Sequence, residues 1–287
     1  MTSTLAPVVR TDLPIGVFDS GVGGLSVLRH IRAQLPREHL LYFADSGFAP
    51  YGDKPEPAVA ARALAIADFL VQRGAKALVV ACNTATVAAI KILRAQYPEM
   101  PIVGVEPGLK PAAALTCNGK IGVLATDGTL AGEKFLSLLR QISSTSKAEF
   151  LLQGCSGLAD QIELGELDSD ATVTMLERYI VPLLTQGVDT LVLGCTHYPF
   201  VLEAIERIIQ RASTQPVTLI DTGEAVARQL ARLLEAAGSL RLEASPSSLH
   251  AYTSAGASTL AMAFSALLGL HPQIDEVRIA EKLENID

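Results

Sequence analysis

Tryptophan is absent from this 287-residue chain, and aromatic residues make up only 5% of it. No basic run is present and the formal net charge is −7, which argues against a nucleic-acid partner, because binding along a phosphate backbone rests on clustered Lys and Arg. A small anionic substrate remains open, since an anion site is a local arrangement of donors. Long hydrophobic runs are also missing. Apolar stretches such as Ala77–Cys82 and Thr190–Cys195 fall far short of the roughly 20 residues that span a bilayer. Residues 1–14 lack the charged-then-apolar order of a secretory signal, so the expected setting is the cytoplasm, with no membrane partner. Cysteine is scarce as well. The four present, Cys82, Cys117, Cys155 and Cys195, are scattered without a CxxC pair. This speaks against a zinc or redox-exchange site, and in a reducing compartment it favours thiols over disulfides.

What is present is a normal globular composition, 49% hydrophobic and 18% charged, with material for a sizeable core. Short runs of Val, Ile and Leu alternate with longer segments of helical period. Strands are expected at Ile15–Asp19, Leu40–Ala44, Ala77–Cys82, Ile102–Val105, Lys120–Ala125, Ala148–Leu152, Thr190–Cys195, Val217–Asp221 and His250–Thr253. Helical segments lie between most of them. Such alternation predicts an α/β architecture with mainly parallel sheets buried on both faces, and ligands beyond the carboxyl ends of the strands.

An internal repeat runs through this pattern. Ile15-Gly16-Val17-Phe18-Asp19-Ser20-Gly21 is echoed by Ile121-Gly122-Val123-Leu124-Ala125-Thr126-Asp127-Gly128. Further on, Leu78-Val79-Val80-Ala81-Cys82-Asn83-Thr84 is echoed by Leu191-Val192-Leu193-Gly194-Cys195-Thr196-His197. The expected fold is therefore two similar α/β domains related by pseudo-two-fold symmetry, with the active site at their interface. The break is placed near Glu106-Pro107-Gly108, giving a discontinuous first domain of residues 1–106 and 217–287 and a second of 107–216.

Cys82 and Cys195 each close an apolar strand and precede small polar residues. A buried structural cysteine is the usual reading of one such residue. Two in matching places point instead to a functional pair, and the helix N-terminus after each is expected to favour thiolate. Thiols on opposite faces of one substrate suit inversion at a carbon, where one group removes a proton and the other delivers one. A thiol hydrolase using Cys195 and His197 needs only one nucleophile and leaves Cys82 unexplained. Cys117 and Cys155 lack this context and read as structural.

The turn Asp19-Ser20-Gly21-Val22-Gly23-Gly24 is a poor dinucleotide loop, because the Asp19 charge would oppose a pyrophosphate there. Asp19 fits an ammonium group or a proton from a nearby thiol, or serves as a helix cap. The segment Asp45 to Pro55, with Tyr51 and Gly52, reads as a lid or a plain connection. An acidic partner would hold His197 charged, and spacing leaves Glu163 and Glu166 equal candidates.

Taken together, Gly16–Leu25, Pro50-Tyr51-Gly52, Ala81–Ala85 and Gly194-Cys195-Thr196-His197-Tyr198-Pro199 strongly resemble the glutamate racemases of bacterial cell-wall synthesis, over nearly the whole chain. The resemblance implies catalytic thiols at Cys82 and Cys195, assisted by Asp19 and His197, with Glu163 as the partner of His197. It implies substrate contacts from Asp19, Ser20, Tyr51, Gly52, Asn83, Thr84, Thr196 and His197. It also implies conversion of L-glutamate to D-glutamate for peptidoglycan, without pyridoxal phosphate, metal or other cofactor. A homodimer, an activating cell-wall precursor and contact with DNA gyrase belong to the family picture but leave no mark in this sequence. Two alternatives stand beside it: a related racemase for aspartate or another small amino acid, and a noncatalytic binding protein that kept the fold.

Overall fold

The computed structural model describes residues 10–243 and 245–279; the remaining residues of the expected first domain lie outside them. In chain order the first part contains β1 (Ile15–Asp19), α1 (Leu25–Gln34), β2 (Leu40–Ala44), α2 (Glu56–Gln72), β3 (Ala77–Val80), α3 (Asn83–Gln96) and β4 (Ile102–Gly104). Next come α4 (Leu109–Leu115), β5 (Lys120–Ala125), α5 (Asp127–Ala131), α6 (Glu133–Thr145), β6 (Glu149–Gly154), α7 (Leu158–Glu163) and α8 (Asp170–Thr185). The chain continues through β7 (Thr190–Leu193), α9 (Leu202–Ala212), β8 (Thr218–Ile220), α10 (Gly223–Ala236), β9 (Leu249–Thr253), α11 (Ala257–Leu268) and β10 (Gln273–Glu276).

Two sheets result, one ordered β10-β9-β2-β1-β3-β4 and the other β6-β5-β7-β8. Every strand pairing among the described residues is parallel. Runs such as Ala77–Val80 and Thr190–Leu193 are buried at each position, as parallel strands covered on both faces require. Ile15 and Val17 of β1 join one core cluster while Phe18 joins the cluster on the opposite face. In the second sheet Val192 and Leu193 divide in the same way.

The repeat has a counterpart in strand order and register. β2-β1-β3-β4 and β6-β5-β7-β8 run in the same order. Ile15 pairs with Leu40 and Ala77, and Ile121 pairs with Phe150 and Thr190. Cys82 and Cys195 follow Ala77 and Thr190 at the same remove, so the two thiols occupy equivalent ends of equivalent strands.

One expected boundary moves. Thr218–Ile220 pairs with Thr190–Val192 in the second sheet, so the chain returns to the first sheet after Ile220 and not at Val217. The physical reason is the repeat itself: β8 supplies the fourth strand that β4 supplies in the first sheet. The crossing segments touch, and a Cβ on Gly108 would lie 2.7 Å from Ile220. After the crossing, α10 packs against α1 and β4. The edge strand β10 escapes sequence patterning because three of its four residues are polar and all are half-buried or exposed. The short helices α4, α5 and α7 give too few turns for a helical period to register.

Candidate active site

Cys82 leaves β3 and caps α3, its Sγ accepting the Ala85 N–H at 3.5 Å. The thiol also faces Ser20 Oγ at 3.7 Å. Despite these contacts it is not poised as a thiolate. Burial, with the neighbouring Asp19 adding to it, pushes its pKa up to about 12. The Ala85 N–H at the helix N-terminus acts in the expected direction and lowers the pKa, but one long N–H···S contact does not offset the loss of water around the sulfur.

Asp19 ends β1 and is fully buried. Its Oδ2 accepts the Gly24 N–H at 2.7 Å and the Gly21 N–H at 3.3 Å, and Ser20 donates to Oδ1 at 3.4 Å. Burial raises its pKa, with His197 and the Gly24 N–H pulling less strongly the other way. The carboxyl thus anchors the entry of α1 and sits close enough to Cys82 to influence its ionisation. Asp19 lies behind the cavity wall, to which the neighbouring Ser20 contributes.

On the other sheet, Cys195 Sγ lies 3.5 Å from His197 Nδ1, and His197 Nε2 lies 2.7 Å from Glu163 Oε1. Between the two glutamates that spacing left equal, Glu163 makes the contact. Burial disfavours a charged imidazole, but Cys195 and Glu163, by charge and hydrogen bonding, hold the His197 pKa well above the ordinary histidine value. Burial likewise opposes the Glu163 carboxylate, and its bonds from His197 and Val22 N–H keep its pKa below the usual range.

The glycine-rich turn meets this dyad from the opposite half. Val22 N–H donates to Glu163 Oε1 at 2.9 Å. A Cβ on Gly21 would overlap the Glu163 carboxylate, and one on Gly23 would overlap the His197 ring. These glycines are therefore required by close packing against acid–base groups, not by a phosphate. Tyr42 buttresses the turn from below, its hydroxyl donating to Gly21 O at 3.2 Å.

A cavity of about 460 Å³ lies between the sheets and is lined by both thiols. Of the expected substrate contacts, Ser20, Tyr51, Gly52, Asn83, Thr84, Thr196 and His197 all line it. Asn83 is buried with no hydrogen-bond partner for Oδ1, an acceptor available to an ammonium group. The Asp45 segment forms part of the wall. Asp45 itself is turned inward, accepting from Tyr51 at 2.7 Å and from Arg62 at 2.6 and 2.7 Å, so it anchors the loop. Gly52 packs directly on the backbone of α5, where a Cβ on Gly128 would lie 2.8 Å from Gly52 O. Thr126, Thr129 and Asp160 also line the cavity and were not singled out from sequence. Thr126 was legible, since it stands in the repeat where Ser20 stands in the first copy; Asp160 carried no signal. Cys155 is buried in the second core, whereas Cys117 is exposed, which the reading of it as a packing residue does not fit. Among the described residues no three His, Cys, Asp or Glu side chains cluster as metal ligands, and no helix is long and apolar enough to cross a membrane.

Parallel α/β halves with a thiol from each facing one cavity define the class, and sequence comparison agrees: residues 15–230 match the Asp/Glu/Hydantoin racemase family, to which this chain belongs. It is 54% identical over 233 residues to a glutamate racemase of Methylococcus capsulatus, covering 81% of this chain and 83% of that one. A solved glutamate racemase from Bacillus anthracis superposes with a TM-score of 0.83 at 31% identity, covering 94% of this chain and 98% of the other. The Escherichia coli glutamate racemase, solved with L-glutamate and the activator UDP-MurNAc-ala, gives a TM-score of 0.80 at 32% identity, covering 93% and 99%.

Two predictions arise from the dyad. Gly23→Ala should keep the circular dichroism spectrum of the parent while lowering turnover by about 10²-fold, because displacing His197 by about an ångström misplaces the chemistry. Parental turnover would show that the turn tolerates a methyl group against the ring. The second concerns pH. Because the folded-state pKa of His197 is raised, the stability it contributes is full below the unfolded value of about 6.5 and is lost as pH rises through the folded value. Glu163→Gln should move the His197 titration, followed by NMR, to lower pH and shorten that stable range at its alkaline end. An unmoved titration would mean that Glu163 does not hold the ring charged.

Proposed function

We propose that this chain racemises glutamate by passing the Cα proton between two thiols, Cys195 and Cys82. The observation that carries the reading is that equivalent strand ends of a duplicated unit place one sulfur each on a shared cavity. Each sulfur has its own acid–base neighbour, Asp19 for Cys82 and the His197–Glu163 pair for Cys195. For one enantiomer the Cα–H bond breaks toward Cys195, and the S–H of Cys82 supplies the new proton on the opposite face. For the other enantiomer the roles exchange. The protonated state favoured at Cys82 suits the donor role, and His197 Nδ1, 3.5 Å from Cys195 Sγ, is placed to exchange a proton with that sulfur. Backbone and hydroxyl donors around the cavity, with water excluded as two domains close, would stabilise the carbanion.

The glutamate racemases of Methylococcus capsulatus and Escherichia coli support glutamate as the substrate, the latter having been solved with L-glutamate bound. The product would enter peptidoglycan synthesis, and the cytoplasm is the setting this implies. Polarimetry with purified protein should show loss of optical rotation from L-glutamate without added cofactor and little from L-aspartate. Cys82→Ser and Cys195→Ser should each lower racemisation by about 10²–10⁴-fold, the usual contribution of a positioned acid or base. Parental activity in either variant contradicts the two-thiol mechanism, and faster turnover of L-aspartate overturns the substrate.

A further inference from the structure

Ser26 is buried in the first turn of α1, just after the glycine-rich entry, and has no part in the proton transfer described above. Its Oγ lies 2.7 Å from the carbonyl oxygen of Thr196 and 2.8 Å from that of Gly23. A hydroxyl carries one proton, so a full hydrogen bond goes to one of these oxygens at a time. Gly23 O is local to α1 and stays within reach whatever the other half does. Thr196 O belongs to the other half and sits between Cys195 and His197 in the chain. The same contact is tight at its edge, where a Cβ on Gly23 would lie 2.8 Å from Thr196 Oγ1.

We propose that Ser26 is a positioning residue for the second thiol. In the closed molecule its proton lies on Thr196 O and fixes the Cys195-Thr196-His197 turn against α1. When the halves part, the proton turns to Gly23 O, so that opening leaves no buried donor without a partner. Cys82 needs no such strap, because its contacts from Ala85 and Ser20 come from its own half. The hydroxyl therefore supports one face of the substrate carbon and not the other. This inference rests on the two-thiol reading.

Solvent deuterium wash-in at Cα, measured from each enantiomer of glutamate before racemisation is significant, separates the two faces. Cys82→Ser identifies the enantiomer whose proton Cys195 removes, as the one that keeps exchanging. With Ser26→Ala added to Cys82→Ser, wash-in from that enantiomer should fall about tenfold, whereas added to Cys195→Ser, where Cys82 acts alone, wash-in from the other enantiomer should stay within about twofold. Unchanged exchange from both, or an equal fall in both, overturns the assignment. Should Ser26→Ala not fold, Ser26→Cys, similar in size but a weak donor, carries the same expectation and the same contrary results. Wild-type protein that neither racemises glutamate nor exchanges its Cα proton would defeat the racemase reading itself, whereas symmetric exchange in the Ser26 variants defeats only the strap.

Discussion

A single oxygen of the Glu163 carboxylate receives donors from both halves, the His197 ring from its own and the Val22 amide from the other. The rest of the site depends on that junction. A buried carboxylate is costly unless hydrogen-bonded, and losing either donor would leave charge poorly compensated in a medium of low dielectric constant. The junction can form only because positions 21 and 23 have no side chain. Closure of the halves, the charge on His197 and the placement of Cys195 are thus linked through one contact. Ser20, on the same turn, faces Cys82 and carries the arrangement to the first thiol.

Duplication gives the two sulfurs equivalent places but different surroundings. Cys82 caps a long helix and lies near a buried carboxyl. Cys195 enters a short 3-10 turn beside an imidazole. Mirror-image substrates do not require mirror-image supports. They require one group able to take a proton and one able to give it, in either direction. An acid held protonated on one side and an imidazolium-backed sulfur on the other meet that requirement for one direction, and the movement of one proton between them prepares the reverse.

The sheet architecture was legible because parallel strands buried on both faces leave short apolar runs, and β1, β2 and β5 fall on the expected residues. The thiol pair was legible because the repeat fixed its register. The role of Gly21 and Gly23 was not, since the groups they accommodate come from residues 163 and 197, far along the chain. Glu163 sits at the end of α7, a six-residue helix entered through Gly157 with φ of 79° and followed by Gly165 with φ of 78°. Nothing periodic marks so short an element, which is why spacing alone left Glu166 equal. The ionisation of Cys82 also escaped, because a helix N-terminus is visible in sequence and the extent of burial is not.

The two-thiol mechanism depends most directly on where two sulfur atoms lie relative to one carbon. A crystal structure with glutamate bound should place Cys82 Sγ and Cys195 Sγ on opposite faces of Cα, each about 3.5 Å from it. Both sulfurs on one face, or either one turned away from the cavity with substrate in place, would contradict it.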